Sequence, residues 1–417
     1  MKGLSHKLSQ ASSSCPLRSY SVVGDNVSDT DDIQNGAEAL DVDGDDSPSG
    51  KSSSAPKVDK LFRAMEKMGG SDLHFKAGSA AKVRVRGGLK SMSTGPMSDE
   101  KIRSMIFEIM NEDQTRKFHE NGAMDFAHQA VGGSRFRVNV FLQRGLMSMA
   151  ARRISSDILD YSQLHLPPVL ERLAQHHQGL VLVSGITGSG KSTTIAAMME
   201  QINKTRSCHI VTLEDPIEFQ YEDKKSFINQ REVGIDVHDF HAALKYLMRQ
   251  DPDVVLIGEM RDQETFAAAL HAAESGHLVF GTVHANGTAG TITRVLELFP
   301  ENARALVRSS LVFNLQGIVC QKLLKTIRPD VPRVPCVEVC VVNATVRKLL
   351  ADGRDSDILG VVKSSYGEGM LDFNESLRQL VEEEYISQEI AYAAAPNAEE
   401  LKMKLKGINI AGSGIIG

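Results

Sequence analysis

Residues 179–192 read Gly179-Leu-Val-Leu-Val-Ser184 and then Gly185-Ile-Thr-Gly-Ser-Gly190-Lys191-Ser192. The first half is a continuous apolar run, the pattern of a strand buried on both faces. The second half satisfies G-x(4)-G-K-[ST], and a helical run from Thr193 to Ile202 follows it directly. A glycine-rich loop between a buried strand and a helix N-terminus lets main-chain N–H groups close around phosphate. In that setting Gly185, Thr187, Gly188, Ser189, Gly190 and Thr193 shape the cradle for ATP. Lys191 neutralises β/γ oxygens, and Ser192 offers its hydroxyl to Mg2+. The stretch predicts an α/β fold built on a parallel sheet.

The sequence on the C-terminal side repeats the same grammar. His209-Ile-Val-Thr-Leu, Val254-Val-Leu-Ile and Leu278-Val-Phe-Gly-Thr-Val are further apolar strands, separated by helical stretches such as Phe240 to Gln250, which Asp251-Pro252 stops. In open α/β sheets ligands bind beyond the carboxyl ends of the strands, so acidic residues there are candidates for chemistry. Glu259 follows the strand ending at Ile257 and can hold Mg2+ through water or polarise the attacking water. Glu214, with Glu218 in the same cluster Glu214-Asp215-Pro-Ile-Glu218, follows the strand ending at Leu213. His277 and His284 flank the strand Leu278 to Val283, one at each end.

Upstream, Val58, Leu61, Phe62, Met65 and Met68 mark one face of a helix that stops at Gly69-Gly70. Alternating runs, Lys82-Val-Arg-Val-Arg with a Gly87-Gly88 turn and Phe136-Arg-Val-Asn-Val-Phe, read as strands of an antiparallel sheet in a small α+β domain. Residues 1–55 are rich in Ser, Asp and Gly and carry nine acidic against four basic side chains, so they read as a disordered acidic tail. Within it Asp41, Asp43 and Asp45 only mimic a calcium loop, because Gly44 is misplaced and Ser52 stands where a bidentate Glu belongs. The net charge of −6 is therefore concentrated in the tail. The near-neutral remainder shows no basic footprint for nucleic acid.

The five cysteines are an odd, scattered set with no CxxC pair, which argues against both a disulfide framework and a zinc site. Cys336 and Cys340, on one face of an apolar strand, read as core thiols. No stretch approaches the ~18 consecutive apolar residues of a membrane span, and the N-terminus lacks the apolar core of a secretory signal; a cytoplasmic protein is expected.

Four segments in order, Gly-Ile-Thr-Gly-Ser-Gly-Lys-Ser-Thr (185–193), Leu-Glu-Asp-Pro-Ile-Glu-Phe (213–219), Ile-Gly-Glu-Met-Arg-Asp (257–262) and Gly-His-Leu-Val-Phe-Gly-Thr-Val-His (276–284), resemble the Walker A, Asp box, Walker B and His box of secretion-type ATPases. The likeness is greatest to the PilT-like type IV pilus retraction ATPases and extends from about residue 58 to 405. It includes Gly-Gly-Ser-Asp-Leu-His-Phe (69–75), Asn229-Gln-Arg-Glu-Val and Ala344-Thr-Val-Arg-Lys-Leu.

The resemblance implies a PAS-like N-terminal domain (56–155), a linker (156–170) and a RecA-like ATPase domain with a helical C-terminal part (171–410). It implies assembly as a homo-hexamer, peripheral at the cytoplasmic face of the inner membrane and acting on an inner-membrane platform protein. It makes Glu259 the catalytic base, Glu214 a Mg2+- or water-organising residue, and His277 and His284 His-box elements near the γ-phosphate or the subunit boundary. Arg137 and Arg152 match arginine-finger positions, with Arg153 the alternative to Arg152. Other readings are a PilU-like accessory motor, a pilus-assembly or secretion ATPase, and a nucleotide-binding regulatory subunit with little turnover. The absent four-cysteine zinc motif counts against the assembly class, and intact Lys191, Ser192 and Glu259 count against the regulatory one. A DNA translocase is disfavoured by the near-neutral core.

Overall fold

A computed structural model of the chain describes residues 55–85 and 87–407. The acidic tail expected over 1–55, with its Asp41, Asp43, Asp45 fragment, lies outside these residues except for Ala55. Among the described residues no helix is long and apolar enough to cross a membrane.

The first sheet has six strands: β1 (Asp72–Lys76), β2 (Lys82–Val85), β3 (Gly88–Ser91), β4 (Ala123–Gln129), β5 (Arg135–Gln143) and β6 (Leu146–Arg153). Their spatial order is β3-β2-β1-β6-β5-β4, and every neighbouring pair is antiparallel. Strand alternation divides this sheet into two faces. Phe136, Val138 and Val140 point to a core shared with three helices, Asp59–Lys67, Asp99–Phe107 and Glu112–Asn121. Phe62 of the first helix stacks on Phe136 with ring centroids 4.0 Å apart. Of the apolar face predicted for that helix, Val58, Phe62 and Met65 are buried, whereas Met68 caps the C-terminus and is exposed. The third helix is held by a reciprocal capping box between Asn111 and Gln114 and ends at left-handed Gly122.

The second sheet contains β7 (Gly179–Ser184), β8 (His209–Glu214), β9 (Phe227–Glu232), β10 (Val254–Ile257), β11 (Leu278–Val283), β12 (Leu315–Lys325) and β13 (Arg333–Val341). The order β13-β12-β7-β11-β10-β8-β9 is parallel throughout except for the β12–β13 pair. Every residue of β7, β10 and β11 is buried, as their uninterrupted apolar sequences predict. Helix Lys191–Thr205 covers one face through Ile195, Met198, Met199 and Ile202. The opposite face is covered in part by helix Gln263–Glu274, through Phe266, Ala269 and Leu270. Cys336 and Cys340 are buried in β13, where burial pushes both thiols up to about 12. The helical pattern expected beyond residue 343 is present from helix Ala344–Ala351 onward.

Candidate functional site

The loop after β7 reaches helix Lys191–Thr205 by pressing its main chain against β12. Gly185 has φ +150°, and a Cβ there would lie 2.4 Å from the Gln321 carbonyl oxygen. Gly190 has φ +90°, and its Cβ would lie 2.7 Å from Gln321 Nε2. Only glycine fits both places. Gly190 is also the N-cap of the helix and supplies no side-chain cap, which leaves the first-turn N–H groups for an anion. Gln321 is fixed in turn by Thr194, whose Oγ1 donates to Oε1 at 2.7 Å. Lys191 is nearly buried and folds back on the loop, donating to the carbonyls of Gly185 (2.8 Å) and Ile186 (3.1 Å). Burial lowers its pKa, partly offset by the charges of Glu259 and Glu218.

A cavity of about 500 Å³ opens beyond the carboxyl ends of β7, β11, β10 and β8. Thr187, Gly188, Gly190, Lys191, Ser192 and Thr193 form one wall, and Glu214, Glu218, Glu259 and His284 face them. Gly185 and Ser189 stand behind the wall; the Ser189 hydroxyl is buried without a partner.

The two carboxylates differ in setting. Glu214 is 8% exposed, and burial pushes its carboxyl up to about 7 despite hydrogen bonds from Thr212 and Gln230. Glu259 is less buried and is gripped on both oxygens. Arg261 Nη2 donates to Oε2 at 2.5 Å, and His284 Nε2 lies 2.9 Å from Oε1. The Arg261 bond, with the charges of Arg261, His284 and Lys191, holds its pKa below the usual glutamate value. Hard oxygen donors at Ser192, Glu214 and Glu259 suit Mg2+, and a buried carboxylate with a raised pKa is a group that a cation would relieve.

Three predicted residues are not brought to this cavity. His277 precedes β11 at the opposite edge of the sheet, roughly 20 Å from His284 at ~3.3 Å per strand residue, and its Nδ1 lies 2.9 Å from the Ala272 carbonyl. Arg137 and Arg152 are cross-strand neighbours on β5 and β6. They lie on the face of the first sheet away from its helices, where Arg152 Nε donates to Asp72 Oδ1 at 2.8 Å. Arg84 Nε approaches the other oxygen of Asp72 at 3.8 Å. Arg153 is directed elsewhere, with Nη2 3.8 Å from Asp157. Conversely, Arg261, Thr282 and Tyr221 line the cavity without having been singled out. Arg261 carried a signal, standing two residues beyond Glu259 on the same strand end. Gln321 carried none, because a polar residue in a distant strand has no local pattern.

A family model described as "Type II/IV secretion system protein" matches residues 58–350. The chain is 40% identical over 334 residues to the Pseudomonas aeruginosa protein described as type IV pilus retraction ATPase PilT, covering 80% of this chain and 96% of that one. It is 39% identical over 351 residues to the type IV pilus ATPase PilU of the same organism, covering 84% and 91%. Among solved structures, the pilus retraction motor PilT with bound ADP superposes with a TM-score of 0.77 at 40% identity, covering 83% of this chain and 99% of that chain.

Proposed function

The chain belongs to the type II/IV secretion system protein family, and from that premise we propose that it is a Mg-ATP-driven ring motor that powers type IV pilus retraction. It is an ATP hydrolase of the pilus ATPase kind. The observation that carries the motor reading is the single cavity in which the phosphate loop meets Glu214, Glu259 and His284 from adjacent strand ends. In this reading residues 56–155 form a PAS-like domain, 156–170 a linker and 171–410 the ATPase domain; the separate hydrophobic cores of the two sheets support that division. Six chains form the ring, which works at the cytoplasmic face of the inner membrane on a platform protein.

The loop N–H groups and Lys191 bind and orient the phosphates. Ser192, Glu214 and Glu259 would hold Mg2+, which when bound neutralises charge developing on the β- and γ-oxygens. Glu259 takes a proton from the attacking water; Arg261 and His284 occupy two of the roughly four acceptor sites of its carboxylate and leave the others for that water. Lys191 must leave the loop carbonyls to reach a phosphate. The resting pocket is thus self-bonded, and nucleotide replaces those contacts. Arg137 and Arg152 reach the phosphates of a neighbouring chain, which makes hydrolysis depend on closure of the ring. Nucleotide drives closure only by its difference in affinity between open and closed states.

A PilU-like accessory role is the second reading, favoured by the near-equal similarity to a PilU relative. Purified protein is expected to hydrolyse Mg-ATP as a species near six chains, and the gene to restore twitching in a strain lacking its own retraction ATPase. Turnover without rescue in that strain, together with rescue of a strain lacking only the accessory motor, would favour the second reading. Nucleotide binding with no turnover in the assembled protein would overturn the motor.

A further inference from the structure

Gln230 sits half-buried on β9, the edge strand of the second sheet, on the face through which Ile228 packs against the core. The parallel register of β8 and β9 sets Gln230 opposite Thr212 and Glu232 opposite Glu214. Side chains two apart along a strand share a face, so Thr212, Glu214 and Gln230 meet there. Thr212 Oγ1 donates to Glu214 Oε1 at 2.7 Å, and Gln230 Nε2 donates to the same oxygen at 3.3 Å. Two donors on one oxygen fix the carboxylate plane, and the Glu218 backbone adds a further hydrogen bond to the carboxyl.

Gln230 also holds the loop between β8 and β9. Its Nε2 donates to the Phe219 carbonyl at 2.8 Å, and its Oε1 accepts from Tyr221 N–H at 2.9 Å. Phe219 and Tyr221 line the same cavity. Between them, Gln220 N–H donates to the Ser155 carbonyl at 2.9 Å, just beyond β6, the strand that carries Arg152. One amide therefore joins the buried carboxylate to the cavity loop, and the backbone of that loop in turn reaches the junction at Ser155. The position needs two donors and one acceptor at a single side-chain terminus, which a carboxamide supplies.

We infer that Gln230 is a positioning residue for Glu214, one that holds the carboxylate in register with the cation and links it to the junction at Ser155. The inference rests on the proposed role of Glu214 toward Mg2+. Residues that orient a metal ligand from behind commonly matter about 10–100-fold in metal affinity or activity.

The test uses the full chain and two variants, Gln230→Leu, which removes all three bonds, and Gln230→Glu, which keeps the acceptor for Tyr221 and loses the donors. Binding of a fluorescent ADP analogue is measured with Mg2+ and with EDTA, beside kcat and KM for Mg-ATP. Both variants should bind the analogue in EDTA as wild type does, which also shows that they fold. The gain in affinity on adding Mg2+ should shrink by about tenfold, and kcat should fall by about 10–100-fold with little change in KM. An unchanged Mg2+ gain in Gln230→Glu, or an equal loss of affinity in EDTA and Mg2+, would overturn the inference. If wild type hydrolyses no ATP, the motor reading fails, while the ratio of Mg2+ to EDTA affinities still decides the role of Gln230.

Discussion

At the carboxyl edge of the seven-stranded sheet, Lys191, Glu214, Glu259 and His284 leave four adjacent strands and converge on one cavity. On the six-stranded sheet, Arg137 and Arg152 are exposed on an open face, with Asp72 the acidic partner of Arg152. In the first group Lys191 and Glu214 are buried, and the pKa of Glu259 is lowered by Arg261, with the charges of His284 and Lys191 adding to it. The second is solvated, so its charge is screened where it stands and gains force only when an anion is brought against it in a drier setting. The groups of the candidate pocket thus come from one sheet, whereas the two arginines stand on the other.

The largest expected effect probes the cavity. Glu259→Gln should lower Mg-ATP turnover by roughly 10²–10⁴-fold with nucleotide binding retained, since a general base contributes on that scale; steady-state assays beside direct binding measure it, and near-normal turnover would remove Glu259 from the chemistry. The next probes the open face. Arg152→Ala should reduce turnover of the assembled ring by on the order of 10³-fold, the scale of arginine fingers, and leave nucleotide affinity at dilutions where the ring dissociates unchanged. A loss of affinity in the dissociated chain would mean that the arginine acts within its own subunit.

A third prediction concerns desolvation itself. Glu214 has its pKa raised from an ordinary 4.5 to about 7, by burial first and also by the nearby charge of Glu218. The folded chain therefore holds a proton that the unfolded chain releases, and this contribution to stability is full below pH 4.5 and is lost as pH rises through 7. In EDTA without nucleotide, Glu214→Gln should be more stable than wild type by about 3 kcal/mol at pH 8, the gap closing toward pH 4.5. Denaturant titration at the two pH values reads it, and a gap independent of pH would mean that the carboxyl is hydrated.

The smallest effect contrasts the two ends of β11. His277→Ala should cost about 1 kcal/mol, the value of one hydrogen bond to the Ala272 carbonyl, and leave turnover nearly unaltered. His284→Ala, which removes one of the two groups holding Glu259, should change kcat well beyond the effect at His277. Equal kinetic effects at both ends would show that the strand, and not the cavity, is what both histidines serve.

The central strands were legible because an apolar run buried on both faces has few other uses, as the wholly buried β7, β10 and β11 show. Two of the edge strands, β4 and β9, were not. In β4 only Phe126 is buried, and β9 buries only Glu232, so neither alternates clearly. The antiparallel direction of β13 was equally hidden, since residue burial does not record which way a strand runs. In the site, the phosphate loop and the strand-end acids could be read as short words. The grip of Arg261 and His284 on Glu259, the support of Gln321 behind the glycines and the bonds of Gln230 could not, because each joins residues whose partners lie elsewhere in the chain or depend on a rotamer.

By itself the sequence determined what depends on neighbours along the chain: the glycine spacing that frees backbone N–H groups, the apolar runs that must be buried, and the acids that follow them. Only the tertiary structure decided which ends meet. The strand order β7-β11-β10-β8 brings Lys191, His284, Glu259 and Glu214 side by side, and the direction of β11 separates His284 from His277 by the length of a strand. Strand pairing is settled by hydrogen bonding and burial between segments far apart in sequence, so its outcome exists only once the sheet has formed.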